Sequence, residues 1–264
     1  MTTTQAPAGT AARGRQLLNK VPEVTLYFWV IKILATTVGE TAADFLNTTL
    51  GFGLNGTSVV MAAVLVAVLV VQFRTPGYVP GVYWLTVVLI SVVGTLVTDN
   101  LTDNLGVSLE VATSVFAVAL LATFAAWFAS ERTLSIHTIV TTRREGFYWA
   151  TILFTFALGT AAGDLLATKL DQGFLIPAGI FAAAIAATVV LWRCGVDAVA
   201  TFWIAYVLTR PLGASLGDYL SQDPDAGGLG LGTTVTSAMF LAVILTLVVF
   251  LTRTRKDATP PVLA

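Results

Sequence analysis

The chain has 264 residues, of which 56% are hydrophobic and 11% charged, with a net charge of -1 and a mean hydropathy of +0.84. Soluble domains carry charge on about a quarter of their residues, so this composition excludes a soluble globular protein and predicts an integral membrane protein whose partner is the lipid bilayer, with no nucleic acid. A single cysteine, Cys194, excludes an internal disulfide, and a single histidine, His137, excludes a multi-histidine metal site within one chain.

Residues 1–20, rich in Thr and Ala with Arg13 and Arg15 but no apolar core, read as a disordered cytoplasmic tail and not as a cleaved signal peptide. Between residues 21 and 252, apolar runs long enough to cross a hydrocarbon core of roughly 30 Å predict helices near 22–47, 57–73, 80–102, 107–129, 146–169, 174–192, 198–220 and 231–252. Turn chemistry separates them at Gly51-Phe52-Gly53, Asp103-Asn104, Asp171-Gln172-Gly173 and the Gly-rich stretch 223–232. Residues 253–264, with Pro260-Pro261, read as a second cytoplasmic tail.

Every other run carries one signature. Trp29, Trp84, Trp149 and Trp203 each follow Phe or Tyr and are followed ten residues later by Gly39, Gly94, Gly159 and Gly213. Fifteen residues after each Trp stands an aspartate: Asp44, Asp99, Asp164 and Asp218. The chain is therefore a fourfold tandem repeat, near 22–75, 80–132, 146–193 and 198–252, each unit pairing a signature helix with a plainer one. The glycines read as points of close helix approach, and the Trp residues, with Trp127 and Trp192, as an aromatic belt at the inner interface.

The expected fold class is all-α, a polytopic membrane protein of eight transmembrane helices as four parallel two-helix repeats. Eleven basic residues, among them Arg74, Arg132, Arg143, Arg144 and Arg193, fall in the tails or the even-numbered loops, against Lys169 alone on the other side. The positive-inside rule then puts both termini in the cytoplasm of a bacterial inner membrane, with the signature helices running outward.

At 1.5 Å per residue, fifteen residues from an interfacial Trp is roughly 22 Å, which leaves each aspartate about 8 Å inside the far edge of the hydrocarbon. Offsets 0, 3, 7, 11 and 15 from each Trp share one helix face. That stripe reads Trp29, Lys32, Thr36, Glu40, Asp44 in the first repeat and Trp84, Val87, Ser91, Thr95, Asp99 in the second. In the third it reads Trp149, Ile152, Phe156, Thr160, Asp164, and in the fourth Trp203, Tyr206, Arg210, Ala214, Asp218.

Five intramembrane acids, Glu40 and the four aspartates, thus face two bases, Lys32 and Arg210. Protonation, a bound cation or water must offset the excess, because an ionised carboxylate in hydrocarbon costs several kcal/mol. Oxygen ligands without His or Cys suit a hard cation, so Asp44, Asp99, Asp164 and Asp218 are the candidate metal ligands, with Thr36, Thr37, Thr95 and Thr160 one turn below. The plainer alternative is that the aspartates bond to nearby backbone and Thr groups and staple the bundle. Glu40 and Arg210 break the fourfold pattern, which suggests specialisation, with Glu40 as the coupling acid and Arg210 competing with the cation for the acids, or, alternatively, a neutralising salt bridge. Lys32, about 5 Å deep, either snorkels to the cytoplasmic face or competes with the cation for the acids. Pro211, in mid-helix, frees a carbonyl for a kink, a gate or an ion contact.

Lys20-Val21-Pro22-Glu23-Val24-Thr25, Phe28-Trp29, Lys32, Thr36-Thr37, Gly39-Glu40 and Ala43-Asp44 resemble a bacterial family of uncharacterised membrane-anchored proteins built from tandem two-helix repeats of unknown function. The resemblance covers the whole chain, implies the repeat architecture and assigns no active site.

The expected function is transport of a small cation, proton-coupled, with no resident cofactor and no catalytic residues; a homo-oligomer is left open. Two alternatives are a membrane-embedded enzyme acting on a lipid-type substrate, for which no nucleophile-base spacing is evident, and a non-catalytic membrane scaffold or partner subunit.

Overall fold

The computed structural model describes residues 19–49, 51–170 and 173–258. The expectations for the first 18 residues, for Asp171-Gln172 and for Pro260-Pro261 lie outside them. Among the described residues there are eight long helices: α1 (Leu26–Asp44), α2 (Gly53–Arg74), α3 (Pro80–Asp99), α4 (Leu109–Glu131), α5 (Thr142–Leu170), α6 (Leu175–Arg193), α7 (Ala198–Ser221) and α8 (Thr233–Thr254). The described residues form an all-α fold without strands, and the repeats fit two-helix units. Helices α2 to α8 are each long and apolar enough to cross a membrane. The remaining one, α1, has 19 residues but carries Lys32, Glu40 and Asp44, and is sheltered inside the bundle.

Helix starts follow local chemistry. Thr25 caps α1 by accepting the amide of Phe28 at 3.4 Å, so the helix begins after Pro22 and not at it. Pro80 occupies the first turn of α3, where its missing N–H costs nothing. At the opposite ends of α1 and α3 the chain continues through single π-helical turns, Phe45–Thr49 and Asn100–Asn104. The loop after α7 folds back to satisfy its last carbonyls, with Leu229 N on Tyr219 O at 2.7 Å and Leu231 N on Leu220 O at 3.0 Å.

The signature helices α1, α3, α5 and α7 form a closed inner ring, each packed on the next and α7 on α1. The outer helices α2, α4, α6 and α8 face away from it. Between 11% and 28% of the most apolar stretch of each outer helix is buried, against 50% to 72% in α3, α5 and α7.

Each outer helix packs on the signature helix of the following repeat and much less on its own: α2 on α3, α4 on α5, α6 on α7, and α8 on α1. The packing unit is therefore the hairpin across a basic loop, shifted by one helix from the sequence repeat. The fourth hairpin, α8 with α1, has no covalent loop. The segments flanking α1 and α8 close it instead: Glu23 N donates to Asp257 O at 2.9 Å, the Tyr27 and Phe250 rings lie 5.6 Å apart, and the hydroxyl of Tyr78, from the loop between α2 and α3, donates to the Asp257 carboxylate. Burial, and then the Asp257 carboxylate, hold the Tyr78 phenol protonated, well above its ordinary range. Asp257→Ala would leave that hydroxyl buried without its acceptor, and a loss of about 1 to 3 kcal/mol is expected. Thermal melting in detergent, with the chemically milder Asp257→Asn alongside, measures it.

The repeated glycines make the inner ring. A Cβ on Gly39 would fall 1.8 Å from Ser91 Oγ, one on Gly94 2.6 Å from Phe156 Cβ, one on Gly159 2.5 Å from Arg210 Cβ, and one on Gly213 2.6 Å from Thr36 Cβ. The same contact, offset ten of one repeat on offset seven of the next, thus occurs four times around the ring. Close approach of backbones is what small residues supply between membrane helices, where lipid and Leu are equally apolar.

The expected interfacial Trp belt needs correction. Trp84, Trp127, Trp149 and Trp203 are 0% to 5% exposed and belong to the main core cluster, Trp29 is half-buried against it, and Trp192 is 49% exposed. Phe28, Tyr83, Trp84, Tyr148, Trp149 and Trp203 lie on the faces turned toward the ring, so these aromatic residues meet one another. Phe28 packs on Trp84 at 5.6 Å, Tyr83 on Trp149 at 5.5 Å and Tyr148 on Trp203 at 6.3 Å, making an aromatic plug across the basic end of the ring.

Candidate functional site

Above the plug, the ring axis is polar. Arg210, fully buried on α7, reaches all three other signature helices. One terminal nitrogen, Nη2, donates to Glu40 Oε2 at 2.7 Å, to Thr160 Oγ1 at 2.7 Å and to Thr95 Oγ1; the other, Nη1, donates to the Thr36 carbonyl at 3.2 Å. Thr95 Oγ1 in turn lies 3.2 Å from the Glu40 carboxylate. Glu40, Thr95, Thr160 and Ala214 are the four offset-eleven residues of the repeats. One layer thus holds an acid, two hydroxyls and an alanine whose small side chain leaves room for the arginine rising from the turn below. Glu40 and Arg210, the two copy-specific charges, are partners in a buried ion pair.

The four candidate threonines are all engaged within the protein. Thr95 and Thr160 accept from Arg210, Thr36 Oγ1 bonds to Ile33 O at 2.5 Å and Thr209 O at 3.3 Å, and Thr37 Oγ1 bonds to Ile33 O at 3.3 Å. Pro211 is buried, its ring facing Gly159 and Gly163 of α5, and so serves as a packing surface between two inner helices.

Lys32 corrects both of its expected roles. It neither snorkels nor pairs with an acid: its side chain is 0% exposed, and Nζ has no hydrogen-bond partner among the described residues. The ammonium position lies 4.0 Å from the Phe156 ring centroid and 4.3 Å from that of Tyr206. Two aromatic faces replace the hydration that the ring interior removes. The Arg210 guanidinium stands 5.7 Å from that same Phe156 centroid, so one aromatic residue is shared by two basic side chains.

One turn beyond the ion pair stand Asp44, Asp99, Asp164 and Asp218, all partly exposed. Glu40 is the common electrostatic neighbour of all four. Among the described residues Asp99, Asp164 and Asp218 make no side-chain hydrogen bond or ion pair, which removes the staple reading for those three. The four-aspartate metal centre is also corrected: no group of three or more His, Cys, Asp or Glu among the described residues is arranged to hold a metal ion.

Sequence reasoning missed the polar cluster beneath the plug. Glu145 is fully buried at the start of α5, where it receives Lys20 Nζ at 2.6 Å, Gln72 Nε2 at 3.1 Å and the Trp149 indole N–H at 3.5 Å. Its signal was available: a lone acid directly after Arg143 and Arg144. The Tyr83 and Tyr148 hydroxyls, hydrogen-bonded to each other inside the plug, were legible only as the aromatic residue preceding each Trp.

The axis therefore runs from partly open carboxylates, through a sealed Glu40–Arg210 layer and a caged Lys32, to an aromatic plug and a buried Glu145–Lys20 pair. Such a column can hold charge at several heights and is closed at the basic end. No curated protein and no solved structure matches the chain. A family model matches residues 27–78, 82–133, 147–194 and 201–257, and the chain accordingly belongs to the family built from the Repeat of Unknown Function DUF347.

Proposed function

We propose that the protein is a proton-coupled carrier of a small hard cation, lying in a bacterial inner membrane with both termini and the basic end in the cytoplasm. The observation that carries this reading is the buried Glu40–Arg210 pair, with four partly exposed aspartates sharing its electrostatic field. Buried intramembrane charges of this kind are costly and are typical of ion pathways and proton relays. The aspartates exchange the cation or proton at the open mouth, singly or in pairs, without forming a fixed metal centre. Glu40 is the coupling acid, and Arg210 offers it an internal counter-ion when no cation is near. Asymmetric access supports alternation: the acidic end is partly open while the basic end is plugged by aromatic rings.

The test is flux into proteoliposomes carrying an internal pH dye, with a panel of monovalent and divalent cations. The native chain is expected to move protons only when a cation gradient is imposed. Asp164→Asn should lower that rate by roughly tenfold or more, the scale of removing one charged contact, and Glu40→Gln should abolish the coupling. Native protein that is folded yet moves neither protons nor any cation would overturn the proposal.

A further inference from the structure

A cleft of about 500 Å³ opens on the outside of the bundle at its basic end, between the last turns of α4 and the first turns of α7. Its body is apolar, with Phe124, Phe128 and Ile204 on the walls and Trp203 at the back; Arg132 and Asp197 also line it. Phe128 and Ile204 are 50% and 46% exposed, so the cleft is open toward the bilayer. Both residues sit at helix ends. Arg132 is the left-handed C-cap of α4, at φ 55°, and Asp197 is the N-cap of α7, with Oδ1 accepting the Ala200 amide at 2.8 Å. Among the described residues neither makes an ion pair. An exposed basic side chain and an exposed carboxylate thus stand beside one apolar slot.

We propose that this cleft binds one phospholipid with a zwitterionic aminophosphate head. Arg132 takes the phosphate through its forked N–H donors, the free Asp197 oxygen takes the primary ammonium, and one acyl chain lies along Phe124, Phe128 and Ile204. Charge complementarity selects the head. An anionic lipid brings its net charge against Asp197, and a choline head has no N–H to donate to that carboxylate. The occupant also reaches the ring, because Trp203 is the signature Trp of the fourth repeat and its indole N–H donates to Leu134 O at 3.0 Å, in the loop that follows Arg132. A lipid seated there braces the aromatic plug from outside. This inference does not depend on the carrier reading.

The experiment is native mass spectrometry of the full-length protein, delipidated in detergent and then exposed to vesicles of phosphatidylethanolamine, phosphatidylcholine or phosphatidylglycerol. One phosphatidylethanolamine per chain should be retained in preference to the other two. Asp197→Asn and Arg132→Asn should each weaken retention roughly tenfold, the scale of one lost charged hydrogen bond. Asn remains a good N-cap and is tolerated in the left-handed region, so both variants keep the local fold. Ile204→Trp, which fills the slot without altering charge, should expel the lipid. Equal retention of the three lipids, unchanged retention in both Asn variants, or no lipid at one per chain would each overturn the proposal.

Discussion

Replacing Arg210 by Met is expected to destabilise the protein by on the order of 3 to 5 kcal/mol, the largest effect of any single exchange in the ring. The loss arises less from the contacts removed than from what remains. Glu40 would be left buried, with Thr95 Oγ1 as its one remaining hydrogen-bond partner among the described residues. Thr160 and the Thr36 carbonyl would lose a donor at the same time. Glu40→Gln alone should cost less, because Arg210 keeps its bonds to Thr95, Thr160 and Thr36. The double variant Glu40→Gln/Arg210→Met should recover most of the loss, since the uncompensated charge is gone. Unfolding by mixed micelles, read by near-ultraviolet circular dichroism, supplies all three values. A double variant no more stable than Arg210→Met would show that packing, and not charge, dominates at this layer.

Gly213→Ala is the second large effect. The added methyl would stand 1.7 Å from Thr36 Oγ1, 2.6 Å from Thr36 Cβ and 3.1 Å from Thr37 N. Thr36 cannot simply turn away, because its hydroxyl is bonded to Ile33 O and Thr209 O. Helices α1 and α7 would have to separate, and a loss of about 3 kcal/mol, the upper end of overpacking costs, is expected. Separation also draws the Thr36 carbonyl away from Arg210, so polar order on the axis should fall with stability. Gly163→Ala is the internal comparison. Its nearest neighbours would be 3.5 Å and more away, an ordinary contact, and removing a helix glycine there should gain about 0.5 to 1 kcal/mol. Equal melting temperatures for the two alanine variants would refute the ring-contact account.

Several features were legible because they depend on one helix alone. The Trp, Gly and Asp offsets define a face at 100° per residue whatever the face meets, and hydropathy marks a span whatever lies beside it. The helices, the repeat and the polar stripe could therefore be read directly. The fate of Trp84, Trp149 and Trp203 could not. Hydropathy does not distinguish a lipid-facing aromatic residue from one buried among other rings, because both environments are apolar. Lys32 was misread for a related reason: its depth follows from its position, but the rings that enclose it come from α5 and α7, more than a hundred residues away.

By itself the sequence determined the all-α, membrane-like fold, the four repeats, the order of polar residues along each signature helix and which of them share a face, because these follow from helix rise, helix pitch and hydropathy. Only the tertiary structure decided which faces meet. It paired Arg210 with Glu40 and not with an aspartate, caged Lys32 between two rings, packed each outer helix on the following repeat, and joined the segments before α1 and after α8 at Asp257. Those choices depend on shape and on which backbones can approach within a glycine's width, quantities that arise between helices and have no counterpart along one.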